Sequence, residues 1–247
     1  WAPLPTLRTP PNRVLRLPTD PFASKTTPRP MYATPQGPQT IEQAVVAWLT
    51  TVGRTAFVAE NHLWSTVFGL LFRNQLFAPI PGALPTRRLS GPQDLHSPQF
   101  YAKRKTGVDQ ILGQIIDGQA PELLAAAHGR HWGEAIVGVN WKDYSAQDLS
   151  DVVRHLGPRA TSELMLGFLM DYRAASVGLP DLVLLPGSKS KCPWLFPGYI
   201  PTGLCLVEIK GPTDSVHDNQ RIAFDHLLNK GVLVEVWSIS PSSNSRG

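Results

Sequence analysis

Two acids and one base stand where apolar residues are the rule. Asp181 opens a short apolar run, 181–185 (DLVLL), directly after Gly178 and Pro180. Glu208 and Lys210 lie inside a second run, 204–210 (LCLVEIK), bounded by Gly211 and Pro212. Both runs have strand length and strand composition. Glu208 and Lys210 are two apart, so they share one face of their strand while Ile209 points to the other. A charge among Leu, Val and Ile carries a desolvation cost unless something compensates it. A divalent cation does so: two carboxylates on neighbouring strands hold Mg²⁺ or Mn²⁺ through oxygen, and the backbone carbonyl of Ile209 adds a further ligand. Lys210 then orients the attacking water or stabilises charge growing on a phosphate. Pro-Asp, a spacer and Glu-x-Lys are thus the parts that phosphodiester hydrolysis needs. Taken alone, the motif also fits a Glu208–Lys210 ion pair on a half-exposed strand.

Three further positions carry charge that could meet nucleic acid. Lys103, Arg104 and Lys105 precede Thr106, read as the cap of a helix, and clustered bases beside a helix N-terminus favour phosphate. Arg173 falls in an apolar helical stretch, where a charge needs a partner. His128 and His131 are three apart, but without accompanying cysteines they read as core or surface histidines rather than zinc ligands.

The elements that must position these residues follow from periodicity. Thr40 and Gln43 have capping-box spacing ahead of Ile41, Ala44, Val45, Trp48 and Leu49, which recur at helical period, and Gly53 closes the helix. A second helix is expected over 60–77, with Glu60 at its start and Pro79 and Pro81 beyond its end. Thr106 opens a third, closed by Gly118. Pro121 suits the first turn of a fourth. Ser145 caps a fifth, and 161–174 (TSELMLGFLMDYRA) forms a buried one. The period then changes to strand, strand, helix from Ser215, and strand at 232–239 (VLVEVWSI). The first two strands are expected to pair as a splayed hairpin. The fold class is therefore α/β, a small mixed sheet flanked by helices and preceded by a helical part.

Composition limits the alternatives. The chain has 247 residues, 42% apolar and 17% charged, which excludes wholesale disorder. Prolines number 24, about twice the usual ~5%, and they concentrate in residues 1–39. That stretch also contains Arg8, Arg13, Arg16, Lys25 and Arg29 against Asp20, so it accounts for the whole net charge of +4. It reads as a proline-rich basic linker or arm, followed by a domain over 40–240 and a frayed tail at 241–247. Basicity confined to a linker is a weak sign of nucleic acid. No run of apolar residues is long enough for a membrane helix. The start at Trp1 reads as a piece of a longer chain. Two cysteines, Cys192 and Cys205, imply no disulfide framework and a reducing compartment.

Four stretches, IEQAVVAWL at 41–49, ENHLWSTVFGLLF at 60–72, GLPDLVLL at 178–185 and CLVEIKGPTDSVHDNQ at 205–220, resemble the nuclease domain of the Fanconi-associated nuclease family, whose catalytic module is of the virus-type replication-repair (VRR) kind. The last two are the most specific. The resemblance implies a PD-(D/E)xK nuclease core, with Asp181 and Glu208 as metal-binding acids, Lys210 as catalytic lysine and Glu60 as an additional acid of the metal site. Gln220, on the helix after the second strand, is implied to support the site or touch the DNA backbone. The implied activity is that of a divalent-metal-dependent deoxyribonuclease, a 5′-flap endonuclease or 5′–3′ exonuclease in interstrand crosslink repair, acting on flapped or branched DNA. Also implied are upstream DNA-binding and helical-repeat regions in full-length members, repair-complex partners, no membrane, and a nuclear location if the chain is eukaryotic or a cytoplasmic one if bacterial. The insertion GSKSKCPWLFPGYIPTG at 187–203 departs from the family pattern and reads as variable surface or a loop beside the DNA. Two rivals remain: a junction resolvase or restriction-type nuclease on the same core, and a catalytically inactive DNA-binding module.

Overall fold

The Val-, Leu- and Ile-rich runs at the C-terminal end become the centre of a mixed sheet. The computed structural model describes residues 7–17, 21–23, 30–60, 62–84, 89–187, 203–212 and 214–240. In chain order the strands and helices are β1 (Asn12–Arg16), β2 (Pro21–Phe22), β3 (Met31–Thr34), β4 (Gly37–Gln39), α1 (Ile41–Thr51), β5 (Ala56–Val58), α2 (Leu63–Leu71), α3 (Arg73–Leu76), α4 (Phe100–Ile116), α5 (Ala120–Arg130), α6 (Ala146–Leu156), α7 (Pro158–Met170), α8 (Tyr172–Ala175), β6 (Leu182–Leu184), β7 (Cys205–Lys210), α9 (Asp218–Asn229) and β8 (Leu233–Ser240). They fall into two compact units, Trp1–Glu60 with Leu179–Gly247, and Asn61–Gly178. No helix among the described residues is long and apolar enough to cross a membrane.

The first unit is built on a five-stranded sheet of order β1-β8-β7-β6-β5. β6 pairs antiparallel with β7, as the hairpin reading expects, and with β5; β7 and β8 run parallel. Alternation along β7 sends Cys205, Val207 and Ile209 to one face, where they join Leu182, Leu184, Trp237, Ile239 and Leu15 against Ala44, Val45 and Leu49 of α1. Burying each such side chain stabilises by roughly 1.5–3 kcal/mol, which fixes the register, since a slip by one residue would turn this whole set outward. Leu206, Glu208 and Lys210 therefore face the other side, and Gln220 of α9 meets them there. α1 starts at Thr40 with a full capping box, as its sequence predicts.

The proline-rich segment differs from the expected arm. β1 adds in parallel to the outer edge of β8, and β2, β3 and β4 form a separate three-stranded antiparallel sheet. The reason lies in the run Asn12–Arg16, which contains no proline, and in its edge position, where one side of the strand needs no partner. The Pro11 carbonyl accepts from Val236 N–H at 2.9 Å. Arg13 Nε meets the fully buried Glu235 at 2.9 Å, and Trp237 Nε1 donates to the same carboxylate oxygen at 2.8 Å. A buried acid on β8 thus selects a base on β1. Residues 188–202, most of the insertion, and the tail at 241–247 lie outside the described residues.

The second unit is helical. Phe68 of α2 stacks on Phe72 and Phe168 and meets Tyr172 edge-on. The helix expected over 60–77 is two pieces, α2 and α3, joined at Phe72, and it begins at Leu63, so Glu60 precedes the helix rather than starting it. α4 begins at Phe100 rather than Thr106. Lys103, Arg104 and Lys105 therefore lie within its second turn, not ahead of its N-terminus, and the free amides expected beside them are elsewhere.

Candidate active site

Antiparallel pairing of β6 and β7 is what assembles the site. Leu182 pairs with Val207, Val183 with Leu206 and Leu184 with Cys205. Continuing that register by one residue sets Asp181 across from Glu208. Asp181 Oδ2 accepts from Ile209 N–H at 2.7 Å, so the carboxyl is fastened to the neighbouring strand. The Asp181 carbonyl accepts in turn from Ala59 N–H at 2.6 Å and from Glu60 N–H at 3.2 Å. These bonds hold the chain at Glu60 beside the strand end, with the Glu60 side chain exposed.

Glu208 and Lys210 share a strand face, and their side chains meet at 2.7 Å between Oε1 and Nζ. Gln220 completes the arrangement: its Nε2 donates to Glu208 Oε1 at 2.6 Å, and its Oε1 accepts from Lys210 Nζ at 3.2 Å and from His217 N–H at 3.1 Å. One amide thus orients acid and base together, and is itself held by the start of α9. Glu208 is 1% exposed and Lys210 9%. Glu208 Oε2 is buried and has no hydrogen-bond partner among the described residues. An unpaired buried carboxylate oxygen is costly, and Glu208 is one of the residues lining a cavity of about 500 Å³. Among the other residues lining it are Glu42, Glu60, Asp181, Lys210, Asp214 and Gln220.

Burial dominates the electrostatics. Desolvation, then the charge of Glu208, pushes the Asp181 carboxyl up to about 8 against the pull of the Ile209 amide, with Glu42 and Glu60 adding to the rise. Glu208 is also raised by desolvation, with Lys210 and Gln220 opposing. Carboxyls forced upward by burial and by neighbouring acids are sites where a cation restores balance. The donor set fits a hard divalent ion: oxygen atoms from two carboxylates, one of them orphaned. Among the described residues no three His, Cys, Asp or Glu side chains converge as a complete ligand set.

Of the residues singled out by sequence, Asp181, Glu208, Ile209, Lys210, Glu60 and Gln220 line this one cavity. The others do not. Arg104 is 5% exposed, and its guanidinium is held within the protein: Nη1 and Nη2 each meet a different Asp94 oxygen at 2.9 Å, and Nε donates to the Gln75 carbonyl at 2.8 Å. It also covers the Phe100 ring at 4.3 Å. It is a packing residue turned inward by the second turn of α4, with four of its five N–H donors already engaged. Lys105 pairs with Asp109 one turn on, and Lys103 lies 3.8 Å from Asp94 with its side chain substantially exposed. Arg173 is exposed on the short helix α8 rather than buried, since the apolar helix ends at Met170. Sequence reasoning missed Glu42 and Asp214. Glu42 follows the Thr40 cap by two residues, and nothing local distinguishes it from any acid in a helix's first turn.

The VRR-NUC domain family matches residues 117–240. A Fanconi-associated nuclease 1 homolog from Oryza sativa subsp. japonica is 35% identical over 189 residues, 76% of this chain and 19% of its own length. A homolog of the same name from Arabidopsis thaliana is 32% identical over 186 residues, 74% of this chain and 20% of its own. A crystal structure of paFAN1 bound to 2nt 5′-flap DNA with gap superposes with a TM-score of 0.73 at 27% identity, covering 86% of this chain and 37% of that one. The matched region is thus about a fifth of the length of either plant relative.

Proposed function

The chain belongs to the VRR-NUC domain family, and on that premise we propose that its cavity is the active site of a divalent-metal-dependent DNA nuclease that hydrolyses phosphodiester bonds in flapped or branched DNA. One observation carries the reading: the half-buried carboxylate of Asp181 and the buried one of Glu208, which has an orphaned oxygen, line one cavity beside a lysine held by a shared glutamine.

Asp181 and Glu208 hold the cation, Mg²⁺ or Mn²⁺, with Glu60 and the Ile209 carbonyl as further oxygen donors. The ion supplies Lewis acidity, activating water and neutralising phosphate charge. The protein's own contribution is preorganisation. The Ile209 amide fixes Asp181, so its carboxyl does not reorient on binding. Gln220 fixes Glu208 and Lys210 in one frame. Lys210 presents a nearly desolvated ammonium to the cavity, where charge grows on the phosphate in the transition state; a fixed cation in such a site acts far more strongly than in water. Lys103 and Arg173, both exposed, remain proposed contacts to the DNA backbone, with Lys105 available once its exposed pair with Asp109 opens. Preference for a 5′ flap is supported by the DNA in the paFAN1 structure, and a part in crosslink repair only by the resemblance to the Fanconi-associated nucleases; both belong to the proposal alone.

The test is a cleavage panel: labelled 5′-flap, 3′-flap, four-way and single-stranded DNA, with Mg²⁺, Mn²⁺ or chelator, and Glu208→Ala in parallel. The reading expects metal-dependent cutting, strongest on the 5′ flap and absent from the variant. Cutting that survives chelation overturns it, and specific cutting of four-way DNA alone favours the junction-resolvase rival.

A further inference from the structure

We infer that His217 is a substrate-contacting residue of this cavity, donating a hydrogen bond from its ring Nε2 to a non-bridging oxygen of the DNA phosphate. The inference rests on the reading of the cavity as the site of a cation-dependent phosphodiesterase. A phosphodiester entering this space meets mostly acids: Glu42, Glu60, Asp181, Glu208 and Asp214 line it, and Lys210 is the only lysine or arginine among its described lining residues. Its oxygens need hydrogen-bond donors as well as a cation, and several donors here are already committed. Lys210 Nζ meets Glu208 and Gln220, and Gln220 Nε2 donates to Glu208. The Gly211 N–H donates to Asp214 Oδ2 at 3.0 Å. His217 lines the same cavity and is exposed there.

The start of α9 decides how the ring is presented. His217 occupies the N-cap, with φ −80° and ψ 161°, and shares a capping box with Gln220. Its backbone N–H donates to Gln220 Oε1 at 3.1 Å, and its side chain takes the Gln220 backbone N–H. The ring nitrogen that can reach back to its own helix is Nδ1, the one nearer the main chain. A nitrogen that accepts an N–H carries no proton, so in the neutral ring the proton is on Nε2. The capping position thus selects the tautomer whose outer nitrogen is a donor. Serine, threonine or aspartate caps a helix at least as well as histidine, but none of them extends a donor beyond the cap. The N-terminal end of the α9 dipole lies at the same place and favours an anion there. His217 therefore serves two groups at once: its backbone holds the glutamine that orients Glu208 and Lys210, and its ring is left to meet the phosphate.

The experiment separates the ring from the cap. Three readouts are taken on the full chain: kcat and KM for labelled 5′-flap DNA with Mg²⁺, Mn²⁺ affinity from the electron paramagnetic resonance of free Mn²⁺, and the histidine tautomer from long-range proton–nitrogen NMR. Wild type is compared with His217→Ser, which keeps a good cap and removes the ring, with His217→Gln, which keeps a donor of similar reach, and with Glu208→Gln. His217→Ser should raise KM about tenfold, the size of one hydrogen bond to a charged acceptor, with kcat and Mn²⁺ affinity close to wild type, the signature of a lost binding contact. His217→Gln should recover part of that loss. The NMR signal missing from His217→Ser should be that of an Nε2–H ring. A wild-type KM in His217→Ser overturns the inference, and so does an Nδ1–H ring or a failure of His217→Gln to recover anything. If His217→Ser instead lowers kcat and Mn²⁺ affinity together, the residue acts only by holding Gln220, and the phosphate contact is overturned. If Glu208→Gln binds Mn²⁺ like wild type, the cation-site reading itself fails and the inference falls with it.

Discussion

Arg104 in the helical unit and Glu208 in the sheet unit are both buried charges, 5% and 1% exposed, yet they stand in opposite states. Arg104 has four of its five N–H donors bonded, to two Asp94 oxygens and two backbone carbonyls, and covers an aromatic face. Glu208 has one oxygen shared between an ammonium and an amide, and the other without a hydrogen-bond partner among the described residues. The first pattern is that of a side chain used to hold α4 in place. The second is that of a group left incomplete where a ligand can finish it. Burial of a charge therefore says little until its partners are counted.

The contrast can be broken at either end. The largest effect should come from Glu208→Ala or Asp181→Asn, which should reduce flap cutting to the level of the chelated wild type while the protein still melts cooperatively; near-normal turnover by either variant would remove it from the site. Arg104→Ala should do the reverse. Losing one partner of a buried pair costs about 3–5 kcal/mol, so urea unfolding should shift strongly, with Mn²⁺ affinity unchanged in the fraction that remains folded. If Arg104→Ala unfolds at the wild-type midpoint, the pair is not structural.

A third effect is pH-dependent. The Asp181 carboxyl in the folded, metal-free chain sits near 8, above its unfolded value of roughly 3.9. The folded state thus binds this proton more tightly, and the contribution is fully present below the unfolded value and lost as pH rises through the folded one. In chelator, Asp181→Asn should therefore gain thermal stability over wild type as pH increases from 5 to 8.5, and Mn²⁺ should narrow the gap at the upper end. A gap constant across that range would mean that Asp181 is ionised throughout. The smallest expected effect is that of Lys103→Ala: slightly weaker DNA binding at every sequence, and a salt dependence lower by about one unit of slope. An unchanged slope would take Lys103 off the interface.

How much of this was legible beforehand differs by region. Asp181, Glu208 and Lys210 stood out because charges in runs of Leu, Val and Ile are anomalous, and the period-two rule put Glu208 and Lys210 on one face. The capping box at Thr40 and the helix start at Ser145 were readable because both signals are local in sequence. β1 was not: ten prolines around it mask a five-residue run that becomes a strand only when β8 offers an edge and Glu235 a buried acid. The start of α4 was misplaced because Arg104 occupies a buried position, which breaks the apolar period that would have carried the helix back to Phe100. Glu42 was invisible for a different reason: only tertiary structure brings the first turn of α1 to the cavity.

The most direct measurement is anomalous diffraction from a crystal of the chain soaked in Mn²⁺. The account predicts a Mn²⁺ peak between the carboxylates of Asp181 and Glu208, with Glu208 Oε2 turned to it. A structure in which Mn²⁺ binds elsewhere, or in which that oxygen keeps only protein or water partners at saturating Mn²⁺, would contradict it.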